Sequence, residues 1–312
     1  MKYINTLKEG DTITENYLCK FKQELKNRNG KPYYSLKLQD KTGIIDAKVW
    51  DINENIEDFE AFDYIKIEGS VIVYQEEHQL NVRKISKSND SEIIPADYIP
   101  STYKDIDILL EDLNDLIYTV NNAYIRKLLE SFFFKKEFIK KFKYHSAAKS
   151  VHHAYLGGLL EHTVTVAKIG VDLCNHYPIA NKDLVIAGCL LHDIGKIYEL
   201  STFPENDYTD MGNMMGHIPI GTEMIHDKIR EIEGFPKELE ILIKHIILSH
   251  HGEYEFGSPK RPKTIEAMIV HSADNTDSRI KIIEEMLLAD NTKSDYAGYN
   301  RVLNRNIRKT IF

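Results

Sequence analysis

The chain has 312 residues, 42% of them hydrophobic, with 40 Lys and Arg against 48 Asp and Glu, a formal charge of −8. This length and apolar content suffice for a buried core in one large domain or two smaller ones, while the negative balance excludes a global electrostatic pull onto nucleic acid, so a polyanion must be held by metals, a local basic groove or aromatic stacking. The opening MKYINTLKEGDTITENYLCKF lacks an apolar signal core, no later run reaches the roughly 18 apolar residues of a membrane span, and the three cysteines, Cys19, Cys174 and Cys189, form no CxxC pair, which predicts a cytoplasmic protein with no membrane partner.

Up to about Lys87 the apolar residues alternate in short runs broken by turn signals. Asn29-Gly30 precedes a strand from Tyr33 to Leu38, and Thr42-Gly43 precedes one from Ile44 to Trp50. Asp63 to Tyr74 and Leu80 to Ile85 add two more around a polar QEEH turn, while Ile52 to Phe59 reads as a short helix between strands. These short strands with one helix in residues 1–88 predict a small all-β, OB-like barrel. Residues 89–104, polar and holding Pro95 and Pro100, read as a linker. From Tyr103 the period becomes helical, with segments near 105–118, 122–131, 135–142, 159–176, 182–194, 219–232, 237–250 and 263–288, so residues 105–312 are expected to form an all-α domain.

Four of those helical runs end on ligand-type side chains: Leu159-Leu160-Glu161-His162, Leu190-Leu191-His192-Asp193, Ile246-Ile247-Leu248-Ser249-His250-His251 and Ile269-Val270-His271-Ser272-Ala273-Asp274. A single histidine is more often a core or surface side chain satisfied by one hydrogen bond. The pair His192-Asp193 after two leucines is different, because burying an unpaired imidazole and carboxylate costs several kcal/mol and calls for a cation. Four such ends in one helical domain aim imidazoles and carboxylates inward, as metal sites in helical bundles do.

The ordered pattern H, HD, H, HH, D resembles the HD superfamily of metal-dependent phosphohydrolases. His217, in MMGHIPIG, together with His250 and His251, resembles the longer motif version that holds two metals. More narrowly, SAAKSVHHAYLGGLLEHT and HDIGKIYEL behind YYSLKLQDKTGIIDAKVWD resemble the YhaM family of bacterial 3′ to 5′ exoribonucleases over nearly the whole chain. What the resemblance implies is an OB module presenting single-stranded RNA or DNA to an HD-type nuclease with two divalent ions, foremost Mn2+, with Fe, Co or Zn as alternatives. The last motif departs mildly, with polar Asn275 and Thr276 ahead of Asp277 where a more apolar stretch belongs.

On this reading His162, His192 and Asp274 hold one ion, His217, His250 and His251 the other, and Asp193 bridges them. Two metals about 3.5–4 Å apart supply what phosphodiester hydrolysis needs: a nucleophile at neutral pH, neutralised phosphate oxygens and a stabilised leaving oxygen. Imidazole and carboxylate donors together suit manganese, iron, cobalt or zinc better than magnesium. Lys196, three residues past Asp193, is assigned to a phosphate oxygen or to the leaving group as acid, against the plain reading of a solvated lysine. Lys149, His152 and His153 ahead of a glycine turn, and Arg279 beyond Asp274, are further candidates for phosphate contacts, as readily explained by structural or solvated roles. In the first half, Tyr33, Tyr34, Lys37, Lys48 and Trp50 fall on strands, where aromatics stack bases and lysines track a backbone. Strand alternation sends some of these inward, and a lone tryptophan is more often core than platform. Residues 1–88 hold 14 basic against 15 acidic side chains and the remainder 26 against 33, so the barrel half is the less acidic.

Two other readings use the same residues: an HD phosphodiesterase for a cyclic dinucleotide or a nucleotide, with the barrel as sensor, and a non-catalytic nucleic-acid-binding regulator. The barrel favours a polymer over the first, and the complete ligand set opposes the second. A homo-oligomer that lines a channel for long RNA is compatible with the negative charge.

Overall fold

The computed structural model describes residues 2–75, 77–89, 93–150, 153–290, 292 and 294–310. The chain divides into two compact units, Met1–Ser101 with Phe203–Glu205, and Thr102–Thr202 with Asn206–Phe312.

The first unit is a closed five-stranded barrel of β1 (Thr12–Lys26), β2 (Pro32–Asp40), β3 (Gly43–Val49), β4 (Tyr64–Tyr74) and β5 (Glu77–Lys87), in the order β1-β2-β3-β5-β4. Every pairing is antiparallel except β3 with β5. Closure depends on the 15-residue β1, which pairs with β2 through Leu18↔Gln39 and with β4 through Leu18↔Tyr64, and whose register shifts between Cys19 and Phe21. A second irregularity lies between Glu68 and Gly69, where β4 comes so close to β5 that a Cβ on Gly69 would sit 2.5 Å from the Asn81 carbonyl. Alternation packs Leu36, Leu38, Ile45, Ala47, Val49, Ile65, Ile67, Leu80 and Ile85 inside.

The helix expected from Ile52 to Phe59 does not form. Asn53 Oδ1 accepts the Asn55 amide at 2.9 Å, a local bond that competes with a helix, and the backbone is spent on a parallel bridge between Ile56 and Ile85. Glu57 donates to the Ile85 carbonyl and Ile85 to that of Asn55, both at 3.0 Å. In the linker region Tyr98 and Ile99 are buried, with Tyr98 edge-on to Tyr64.

The second unit carries α1 (Ile106–Thr119), α2 (Ala123–Phe133), α3 (Lys136–Phe142), α4 (Gly158–His176), α5 (Lys182–Leu191), the one-turn α6 (Lys196–Glu199), α7 (Asp210–Met215), α8 (His217–Arg230), α9 (Lys237–Ser249) and α10 (Ile265–Ala289). Asp105, Asn122, Asn181, Thr209 and Thr264 cap α1, α2, α5, α7 and α10 with side-chain acceptors. One apolar cluster runs through α1, α2, α4, α5, α8, α9 and α10. Within it, a Cβ on Gly188 would meet Ile246 at 2.6 Å and Val270 at 2.8 Å, so α5, α9 and α10 touch there. The helical expectation stopped short of one feature: a hairpin of β6 (Tyr296–Asn300) and β7 (Arg305–Arg308), whose Leu303 and Ile307 pack on Ile282 of α10. Among the described residues no helix is long and apolar enough to cross a membrane.

Candidate metal centre

Four residues beyond Gly188, Ile246 and Val270 lie His192, His250 and Asp274. Side chains four apart share a helix face, so the contact that joins α5, α9 and α10 brings these three groups together one turn later. His162 enters from the first turns of α4, and His217 opens α8 directly after Gly216, whose φ of +76° suits glycine.

All five imidazoles that face this point are tied down at Nδ1. His192 donates to the Cys189 carbonyl (2.7 Å), His250 to that of Ile247 (2.7 Å), His251 to that of Phe256 (2.8 Å), His217 to Glu199 Oε1 (3.0 Å) and His162 to Asp277 Oδ2 (2.7 Å). Proton placement follows from the acceptors, which can only take a hydrogen, and it turns each Nε2 inward. This is how ligating histidines are held in metal proteins.

Four of these Nε2 atoms gather around Asp193. Its Oδ2 lies 3.2 Å from His192 and 3.4 Å from His162, and its Oδ1 lies 3.4 Å from His217 and 3.8 Å from His250. Asp274 Oδ1 is 3.3 Å from His162 Nε2 and 4.0 Å from His192 Nε2. The donors of His162, His192 and Asp193 lie within 4.8 Å of one another, as do those of His217, His250 and His251. Two groups of ligand atoms therefore share one carboxylate. Asp193 Oδ1, His217 Nε2 and His250 Nε2 are buried without a hydrogen-bond partner. A buried cluster made only of acceptors is satisfied by a cation, so the donor set fits divalent ions.

The electrostatics agree. Burial opposes ionisation of Asp193, but Lys196 and His192 outweigh it and hold the carboxyl well below its ordinary range. Burial, helped by His251 and His192, pushes His250 well below the usual imidazole value and keeps it neutral, as a ligand must be. His251 is lowered in the same way. His162 goes the other way: burial is outweighed by Asp193, Asp274 and Asp277, so a proton must leave its ring when an ion binds.

Lys196 Nζ sits 2.7 Å from Asp193 Oδ2. Two cavities flank the centre, and Lys196 and His251 line both. One, of about 270 Å³, also has Asp193, Asp274, His271 and Asn275 in its wall. The other, of about 210 Å³, has Lys149, Tyr208 and His217.

The remaining residues singled out above are dispersed. Lys149 pairs with Asp207 at the second cavity. Arg279 is exposed and bonded to Asn275 at 2.8 Å, one residue away from the first cavity's wall. His153 is completely buried, giving Nε2 to Asp277 (3.0 Å) and meeting Tyr155 at Nδ1 (2.9 Å), so the expectation that it touches phosphate is corrected. His152 lies outside the described residues. In the barrel, Tyr34 is on the inward parity of β2, edge-on to Phe59 and packed on the core, which corrects its reading as a base platform. Lys37 is exposed. Trp50 is 45% exposed and stacks on Tyr33 with ring centroids 4.7 Å apart, a surface aromatic pair where burial of the lone tryptophan was the commoner expectation.

Sequence reasoning missed Asp277 and Glu199, the carboxylates behind His162 and His217. Their signal was present: Asp277 is three residues from Asp274 on the same face of α10, and Glu199 closes HDIGKIYE on α6. The polar Asn275 and Thr276 that seemed to interrupt the last motif are its solvent face, and α10 runs unbroken through them.

Known proteins resemble both units. An HD domain family model matches residues 159–279, and an OB-fold nucleic acid binding domain model matches residues 20–87. The 3′-5′ exoribonuclease YhaM of Geobacillus sp. (strain WCH70) is 35% identical over 261 residues, covering 83% of this chain and 80% of that protein. Among solved structures, the HD domain of the L. monocytogenes phosphodiesterase PgpH aligns at 21% identity over 48% of this chain and 80% of its own, with a TM-score of 0.31. The second OB-fold domain of replication protein A from Methanococcus maripaludis aligns at 22% identity over 28% of this chain and 93% of its own, with a TM-score of 0.23.

Proposed function

Because the chain belongs to the YhaM family of 3′-5′ exoribonucleases, we propose that it is a metal-dependent exonuclease that removes nucleotides from the 3′ end of single-stranded RNA, and also of single-stranded DNA, releasing 5′-mononucleotides. In this reading residues 1–88 hold the strand, residues 89–104 connect, and residues 105–312 carry out hydrolysis. The observation that carries it is the acceptor-only cluster of Asp193 Oδ1, His217 Nε2 and His250 Nε2 beside a second donor group on the same carboxylate.

His162, His192 and Asp274 would hold one ion, and His217, His250 and His251 the other, with Asp193 contributing one oxygen to each. When bound, two divalent ions supply charge neutralisation for the phosphate oxygens and activation of water at neutral pH. The chain's own residues do the rest. Glu199, Asp277 and the carbonyls of Cys189, Ile247 and Phe256 fix the orientation of the five rings. Lys196, held on Asp193 and lining both cavities, presents an ammonium to a non-bridging phosphate oxygen or to the departing 3′ oxygen. Lys149 extends that positive rim in the second cavity. Five imidazoles with two carboxylates favour manganese, iron, cobalt or zinc over magnesium, and manganese is our assignment. Three cysteines that form no disulfide suit a reducing cytoplasm.

The test is incubation of the pure protein and manganese with 5′-labelled single-stranded RNA and, in parallel, with a cyclic dinucleotide. A ladder that shortens from the 3′ end is expected. Cleavage of the dinucleotide alone, or RNA binding without cleavage, overturns the reading.

A further inference from the structure

We propose that the barrel carries a one-nucleotide pocket formed by Trp50, Asn81 and Arg83, in which a base of a single-stranded nucleic acid lies against the indole and a neighbouring phosphate meets the guanidinium. The proposal rests on the nucleic-acid reading above and goes beyond it by naming where on the barrel a nucleotide is held.

A cavity of about 410 Å³ lies on this side of the barrel, within the range of about 300–1,000 Å³ typical of small-molecule sites. Trp50, Asp51, Asn53, Ser70, Asn81 and Arg83 are in its wall. β3 and β5 run parallel there, with Lys48 opposite Asn81, and Asn81 also faces Ser70 of β4 beside the close approach at Gly69. Three properties of this wall point to a nucleotide. Asn81 Oδ1 is buried without a hydrogen-bond partner, so it awaits a donor such as the exocyclic amine or ring imide N–H of a base. Trp50 is stacked on Tyr33, which holds the ring while it lines the cavity, and a stationary aromatic is a platform for any base. Arg83 is exposed and makes no hydrogen bond or ion pair among the described residues, whereas nearby Lys31 and Lys84 are paired with Asp51 and Glu68. The pairing of Asp51 with Lys31 at 2.6 Å also neutralises the one carboxylate in the wall. An indole, a buried acceptor and an uncommitted guanidinium match the base and the phosphate of one nucleotide.

Trp50 is the only tryptophan of the chain, so its emission reads this pocket directly. The metal-loaded full-length protein is titrated with a phosphorothioate-linked oligonucleotide, which resists hydrolysis, and with an abasic oligomer of equal length. The base-bearing strand should change the emission saturably and the abasic strand should not. Arg83→Gln should weaken binding about tenfold and lower the slope of log affinity against log salt by about one, whereas Asn81→Ala should weaken it about tenfold with the slope kept. Binding seen by anisotropy with unchanged emission, or unchanged affinity in both variants, overturns the pocket. The parent protein's emission decides even where a variant fails to fold. Unchanged emission with RNA still shortened removes the pocket and leaves the exonuclease, while an emission change without shortening does the reverse.

Discussion

Asp277 Oδ2 lies 2.7 Å from His162 Nδ1, on the side of the ring opposite Asp193 and Asp274, and takes a second bond from His153 at 3.0 Å. A carboxylate here sets the tautomer and angle of the ring through Nδ1. Asp277→Ala is expected to lower affinity for the ion at His162 by about 10- to 100-fold, read by competition with a chelator, and Asp277→Asn to lose less because its amide oxygen still accepts. A fall in melting temperature with unchanged metal affinity in both variants would assign Asp277 a structural role only.

Asp193 faces both ligand groups, one oxygen to each. Asp193→Ala should abolish both ions together and with them the activity, whereas His250→Ala should spare the ion at His162 and His192. Metal content per chain by mass spectrometry decides it, and full metal in Asp193→Ala would refute the shared carboxylate.

Gly195 supports the second group through the backbone. A Cβ there would stand 2.1 Å from the His217 carbonyl and 2.7 Å from the Gly221 amide. Gly195→Ala must shift the start of α8, with an expected stability loss of about 1–3 kcal/mol and weaker binding of the ion at His217. Chemical denaturation and metal titration of the same variant measure the two effects.

Burial is the first cause that pushes the Cys19 thiol up to about 12. The folded chain therefore holds this proton more tightly than the unfolded chain, whose thiol titrates near 9. The stabilisation is complete below pH 9 and is lost as pH rises toward 12, which predicts alkaline destabilisation that Cys19→Ala reduces. At pH 8 Cys19 should not react with a thiol reagent until the protein is denatured, because the thiolate is the reactive form.

What the sequence disclosed follows from the range of the forces involved. Alternation in Leu36 to Leu38 and Ile45 to Val49 predicted strands, and the apolar runs before His162, His192, His250 and Asp274 predicted helices, since both signals are local periodicities; only His192 and His250 stand at helix ends, however, while His162 lies in the first turns of α4 and Asp274 within α10. The segment Ile52 to Phe59 misled because its apolar spacing is helical while its backbone partner, Ile85, is remote. His153 and Tyr34 misled for a related reason. Residue type advertises a surface role for each; only the packing against α10 reveals that His153 faces inward, whereas the parity that Tyr34 shares with Leu36 and Leu38 was already legible in the alternation of β2.

Gly188, Ile246 and Val270 meet at one point, and His192, His250 and Asp274 each follow by four residues. One residue inserted in any of these three spans would swing its ligand by about 100° around the helix axis. The pitch of the α-helix is thus the ruler of the metal centre. Insertions and deletions compatible with metal binding are confined to positions outside 188–192, 246–250 and 270–274, while side-chain changes at the residues between each contact and its ligand are limited by packing.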